Sequence, residues 1–251
     1  MMKILKQVIA IFALAGLSAT AGAADIIVSA ASSLTNAFND IGKEFEKANP
    51  SHKVLFNFAG SGALLQQIAR GAPVDVFASA DQDTMDKADA QNLILRSSRT
   101  DFTRNTLVIV VPADADFTLV DLEGLRSASI KRIAIGNPET VPAGKYAKAV
   151  LEASNLWNTL KPRMINTQNV RQSLDYVARG EVDAGFVYAT DALAMRGKVT
   201  LVFNVSTKTS ITYPIAVVKG NGKENLAIRF VEFVKSEAAQ KILRQYSFSL
   251  P

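Results

Sequence analysis

From Ile26 onward, short apolar runs alternate with stretches in which apolar residues recur every three or four positions. Ile26-Ile27-Val28 has the character of a strand, and Leu34, Ala37, Phe38, Ile41 and Phe45 after it line one face of a helix. The same alternation predicts a strand at 54–56, a helix over 63–70 stopped by Gly71, a strand over 74–78, and a helix opened by Asp81 with Met85 and Ala88 inward. Residues 107–111 (LVIVV) are apolar throughout, as a strand covered on both faces requires. Beyond them, strands are predicted at 133–135, 184–187 and 211–218, and helices over 143–153, 170–179, 225–234 and 237–246.

Strands alternating with helices imply an α/β class with mainly parallel, helix-flanked sheets. A length of 251 residues allows one large domain or two modest ones. No internal repeat and no Pro/Gly/Ser-rich linker divides the chain, so two lobes are expected to be joined by strands. The apolar runs at 107–111 and 211–218 are the expected crossing segments.

Residues 1–24 have a different pattern. Lys3 and Lys6 precede an apolar run over 8–17, and small residues follow to Ala21-Gly22-Ala23. A basic head, a short apolar centre and an Ala-x-Ala end mark a secretory signal peptide, expected to be cleaved after Ala23 or Ala24. The run is about half of the ~20 residues needed to span a bilayer. The mature chain is therefore expected in the periplasm, not embedded in a membrane.

Composition narrows the chemistry. Hydrophobic residues at 48% and charged residues at 20% suit a packed globular chain. Cysteine is absent and His52 is the single histidine, which removes thiol nucleophiles, thiolate zinc sites, iron–sulfur clusters and multi-histidine metal sites. Loss of Lys3 and Lys6 takes the net charge from +5 to +3. With no block of five like charges, no nucleic-acid partner is expected.

In open α/β sheets, ligands gather where strands end and helices begin. Four such junctions stand out: Ser32-Ser33-Leu34-Thr35, Gly60-Ser61-Gly62, the stretch from Asn137 to Gly144, and Tyr188-Ala189-Thr190-Asp191. Each helix start offers N–H groups without intrahelical partners and a positive dipole end of ~0.5 charge. Several aimed at one point make an anion site without Lys or Arg. Ser33 and Ser61 either cap their helices or point into such a site, and the glycines beside Ser61 equally suit a tight turn. Arg171 reads as paired at the surface and His52 as part of a polar, solvent-facing loop. No G-x-S-x-G elbow occurs, so no serine hydrolase, and no enzyme, is expected.

At these junctions the sequence resembles the molybdate-binding proteins of bacterial molybdate importers, within the type II periplasmic solute-binding family. The resemblance rests on AASSLTNA (30–37), FAGSG (58–62), DVFASAD (75–81), GNPETVPAGKYA (136–147), Asn169-Val170-Arg171, GFVY (185–188) and YPIAV (213–217). It implies a two-lobed type II periplasmic-binding-protein fold, with 25–105 and 217–251 in lobe I and 106–216 in lobe II. It further implies a tetrahedral oxyanion, molybdate or tungstate, held by neutral donors: the hydroxyls of Ser33, Ser61 and Tyr188 and the backbone N–H groups of Ala143 and Val170. No cofactor and no direct protein–metal ligand is implied. The implied partner is the membrane permease of an ABC importer, and the chain is expected to act as a monomer. The same fold binding sulfate, another oxyanion or a small organic acid is the alternative, although an organic acid would call for an Arg clamp that no junction loop carries.

Overall fold

The structure, a computed structural model, describes residues 25–251, and the expected signal peptide lies outside the described residues. The chain first lays down β1 (Ile26–Ala31), α1 (Thr35–Ala48), β2 (Val54–Ala59), α2 (Ser61–Ala69), β3 (Val76–Ala78), α3 (Gln82–Ala90) and β4 (Thr100–Asn105). It continues through β5 (Leu107–Pro112), β6 (Ile133–Gly136), α4 (Pro142–Ala153), the single turn α5 (Trp157–Leu160), β7 (Met164–Thr167) and α6 (Val170–Ala178). The last elements are β8 (Ala184–Tyr188), α7 (Ala189–Ala194), β9 (Val199–Asn204), β10 (Ile211–Val217), α8 (Glu224–Lys235) and α9 (Glu237–Gln245).

These form two five-stranded sheets, in the orders β2-β1-β3-β10-β4 and β7-β6-β8-β5-β9. The sheets are mixed. In each, four strands share one direction and a single strand, β10 or β5, opposes both neighbours. The reversed strand is the one by which the chain enters that sheet from the other, so no helical crossover brings it in parallel.

Two expectations about the crossings are corrected. Strand β5 pairs with β8 and β9 along its length, and β10 pairs with β3 and β4, so each belongs to one sheet. The crossings are Thr106, the single residue between β4 and β5, and the segment 205–210 before β10. A lobe boundary between 216 and 217 would cut through the ladder of β10; the division of the sheets falls before Ile211 instead.

Strand β5 is buried over Leu107–Val111 because neighbours and helices cover it, as its unbroken apolar run requires. Helix α1 buries Ala37, Phe38, Ile41 and Phe45 and sets Lys43 and Lys47 outward. Helices α8 and α9 return to the first sheet's side, where Phe230 meets Phe45 edge-on at 5.2 Å. One apolar core runs through both sheets, and a smaller one lies among Leu64, Ile68, Phe77 and Met85. The framework thus holds the carboxyl ends of strands from both sheets toward one place.

Candidate functional site

That place is a small hollow of about 180 Å³ of empty space, counted to its mouth, lined by residues from both sheets. Most of that space opens toward solvent, and the enclosed part has room for about one water-sized centre. Ser33, Ser61, Ala143, Val170 and Tyr188 all line it, so the structure brings the five sequence-derived candidates together. Ala31, Ser32, Ala80, Val141 and Pro142 complete most of the wall. No charged side chain is part of it.

Each position follows from local folding. Ser33 sits in a 3-10 turn directly after β1, and Ser61 opens α2 directly after β2. Neither hydroxyl caps its helix: the N-cap residues are Ala31 and Gly60, without side-chain capping bonds. The Oγ of Ser61 instead accepts from the backbone N–H of Ala80 at 3.0 Å. A hydroxyl has one proton and two lone pairs, so this bond takes up one lone pair and leaves the Ser61 proton unused by it.

Ala143 is the second residue of α4, behind Pro142, whose fixed φ suits a first helical turn. Helix α4 presses onto the end of β6: a Cβ on Gly144 would lie 1.8 Å from the carbonyl oxygen of Gly136. Only glycine permits this seating, which sets Ala143 in the wall of the hollow. Val170 opens α6 behind Asn169, whose side chain accepts from the Gln172 N–H at 3.0 Å. Both Ala143 and Val170 lie in first turns, where N–H groups lack intrahelical acceptors. The positive ends of α2, α4 and α6 therefore meet around one uncharged space.

Tyr188 ends β8. It is 1% exposed, its hydroxyl has no hydrogen-bond partner among the described residues, and burial pushes its phenol well above the usual range. It thus remains a neutral O–H donor, and a buried donor left unpaired is costly unless a guest receives it. Behind it, the Asp191 carboxylate accepts from the Tyr188 N–H at 3.1 Å and lies 2.6 Å from Arg171 Nε. Burial raises the Asp191 pKa, and Arg171 is the largest opposing influence. Arg171 is therefore paired as expected, but with a wholly buried partner rather than at the surface, and its Nη2 lies 3.5 Å from the Ser33 carbonyl. Neither Arg171 nor Asp191 lines the hollow.

The two halves of the wall touch. Gly62 donates its N–H to Thr140 at 2.9 Å, and Lys145 on α4 pairs with Asp81, the N-cap of α3, at 2.6 Å. His52 lies beyond α1 with Arg229 at 3.3 Å, away from the hollow, so no imidazole faces these serines. Among the described residues, no helix is long and apolar enough to cross a membrane.

A two-sheet α/β frame with a neutral, donor-lined hollow between the sheets suits reversible capture. A family profile described as "Bacterial extracellular solute-binding protein" matches residues 26–249. The chain belongs to that family. Among relatives of this solute-binding protein, the molybdate-binding protein ModA of Escherichia coli is 38% identical over 244 residues, spanning 95% of this chain and 94% of the relative. ModA of Haemophilus influenzae is 34% identical over 254 residues, spanning 99% of each. The solved periplasmic molybdate-binding protein of Azotobacter vinelandii superposes with a TM-score of 0.80 at 25% identity, covering 90% of this chain and 99% of that one.

Proposed function

We propose that this solute-binding protein captures molybdate, and tungstate with it, in the periplasm and delivers the anion to the permease of an ABC importer. The observation that supports this reading is that Tyr188, whose buried hydroxyl has no partner among the described residues, and Ser61, whose Oγ accepts from Ala80, line one uncharged hollow. A wall of donors suits a guest that only accepts, which describes a fully deprotonated tetrahedral dianion. A guest that keeps a proton finds no carboxylate in the wall to receive it.

In this reading Ser33, Ser61 and Tyr188 donate through hydroxyls, and Ala143 and Val170 through backbone N–H groups. The two sheets and their helices act as lobes, 25–105 with 211–251 and 107–204, that close over the anion as a monomer. Closure excludes water, so fixed dipoles act more strongly on the dianion than they would in solution. Fixed donors also select by radius: sulfate, being smaller, would leave donors stretched, at ~1–3 kcal/mol for each one left unmade.

The test is calorimetry on the chain from Asp25 onward with molybdate, tungstate, sulfate and hydrogen phosphate. Tight binding of the first two and far weaker binding of the others is expected. Sulfate binding as well as molybdate would transfer the site to another oxyanion.

A further inference from the structure

Ser33 differs from Ser61 in one respect: the partner of its Oγ is not a backbone N–H but the hydroxyl of Tyr213, at 3.0 Å. Either oxygen of that pair has the chemistry to donate. If Ser33 donated to Tyr213, its proton would be lost to the hollow.

The surroundings of Tyr213 decide the direction. Asn105, the last residue of β4, accepts from the Thr106 N–H through Oδ1 at 2.9 Å, which orients its amide. Its Nδ2 then donates to Tyr213 Oη at 3.2 Å and to Thr190 Oγ1 at 2.9 Å. The Tyr213 oxygen therefore already receives a proton from Asn105. Its own O–H has Ser33 Oγ as its available acceptor, and the reverse arrangement would leave a wholly buried O–H without one. Burial also pushes the Tyr213 phenol well above its ordinary range, which keeps that proton in place.

We propose that Asn105 and Tyr213 are positioning residues that polarise a one-way chain of hydrogen bonds and thereby aim the Ser33 proton into the anion site. The proposal rests on Ser33 acting as a donor to the anion, as read above. Tyr213 does for Ser33 what the Ala80 N–H does for Ser61. It reaches the serine from β10, where the strand register shifts between Tyr213 and Pro214. Asn105 stands at the first crossing between the sheets, and its second bond runs to Thr190 on α7. The orientation of a donor on one sheet is thus tied to the juncture of both.

A double-mutant cycle tests this, with sodium molybdate as the titrant and the melting temperature of the empty protein as the folding control. Ser33→Ala is expected to weaken binding at least ~tenfold, and Tyr213→Phe by roughly fivefold to tenfold, the worth of one directed hydrogen bond. The ring of Tyr213, which packs against Phe102 and Phe248, is retained in Tyr213→Phe. In the Ser33→Ala background, Tyr213→Phe should change affinity less than ~twofold, because the group through which it acts is gone. A general packing role would lower affinity equally in both backgrounds.

Unchanged affinity in Ser33→Ala overturns the site reading itself. A weakened Ser33→Ala together with a Tyr213→Phe that is silent, or that costs the same in both backgrounds, overturns only the relay. Should Tyr213→Phe fail to fold, Asn105→Ala is run through the same cycle and judged by the same criterion.

Discussion

The backbone N–H of Gly62, at the start of α2, meets the carbonyl of Thr140, just before α4, at 2.9 Å across the two halves of the molecule. A Cβ at position 62 would lie 2.8 Å from both the Cα and the carbonyl oxygen of Thr140, backbone atoms that cannot step aside. The glycine beside Ser61 therefore serves the contact between halves rather than a tight turn. Gly62→Ala should weaken molybdate binding at least ~tenfold by opposing closure. The empty protein should melt no lower, because Ala is the better helix former by ~1 kcal/mol. Calorimetry with a parallel thermal melt checks this; lost stability with intact affinity would make the contact structural only.

Tyr188→Phe separates function from stability in the other direction. The hydroxyl bonds to no other group among the described residues, so its removal breaks no hydrogen bond within the protein and should leave the melting temperature nearly unchanged. Affinity for molybdate should nevertheless fall at least ~tenfold, the worth of one hydrogen bond to a charged guest. Equal affinity in the wild-type and variant proteins would remove Tyr188 from the donor set.

Lys145 touches nothing in the hollow yet pairs with Asp81 across the halves, with the Asp81 side chain only 4% exposed. Opening would release both ions to water. Lys145→Met should therefore destabilise mainly the closed form, leaving Asp81 buried with its capping bond to Thr84 but without its cation. Affinity is expected to fall about tenfold, a value kept modest because Lys145 is partly solvated. Faster molybdate release in stopped-flow measurements would accompany it, and an unchanged release rate would argue against a latch.

The pH response is set by groups that keep their protons. The donors proposed for the anion are hydroxyls and amides, so affinity should be flat between about pH 6 and pH 9. Stability is another matter. The folded pKa values of Tyr188 and Tyr213 are raised by burial, whereas in the unfolded chain a tyrosine ionises near ~10. The folded state thus binds more protons than the unfolded state above that pH, and stability falls as pH rises. Thermal melts from pH 8 to 11 should show a decline beginning near pH ~10 that is shallower in Tyr213→Phe.

The order of strands and helices was legible because burial imposes period: LVIVV could only be a doubly covered strand, and the stripe from Leu34 to Phe45 could only be one helix face. Strands β4, β7 and β9 were not legible. Each lies at the end of its sheet and has partly exposed residues, such as Asp101 in TDFTRN or Ile165 in MINT, so little apolar period marks them. Without β4, Asn105 carried no signal, and the true crossing at Thr106 stayed hidden behind the stronger apolar run that follows.

By itself, then, the amino-acid order determined the α/β rhythm, the absence of thiol and histidine chemistry, and the serines and helix starts placed just beyond strand ends. These are local properties, set by residue type and spacing within a few turns of chain. Only the tertiary structure decided that Ser33 meets Tyr213, that Arg171 backs a buried Asp191, and that Gly62 meets Thr140. Such relations join residues 20 to 180 positions apart. Which donor meets which acceptor over such separations is settled only when the two sheets come together.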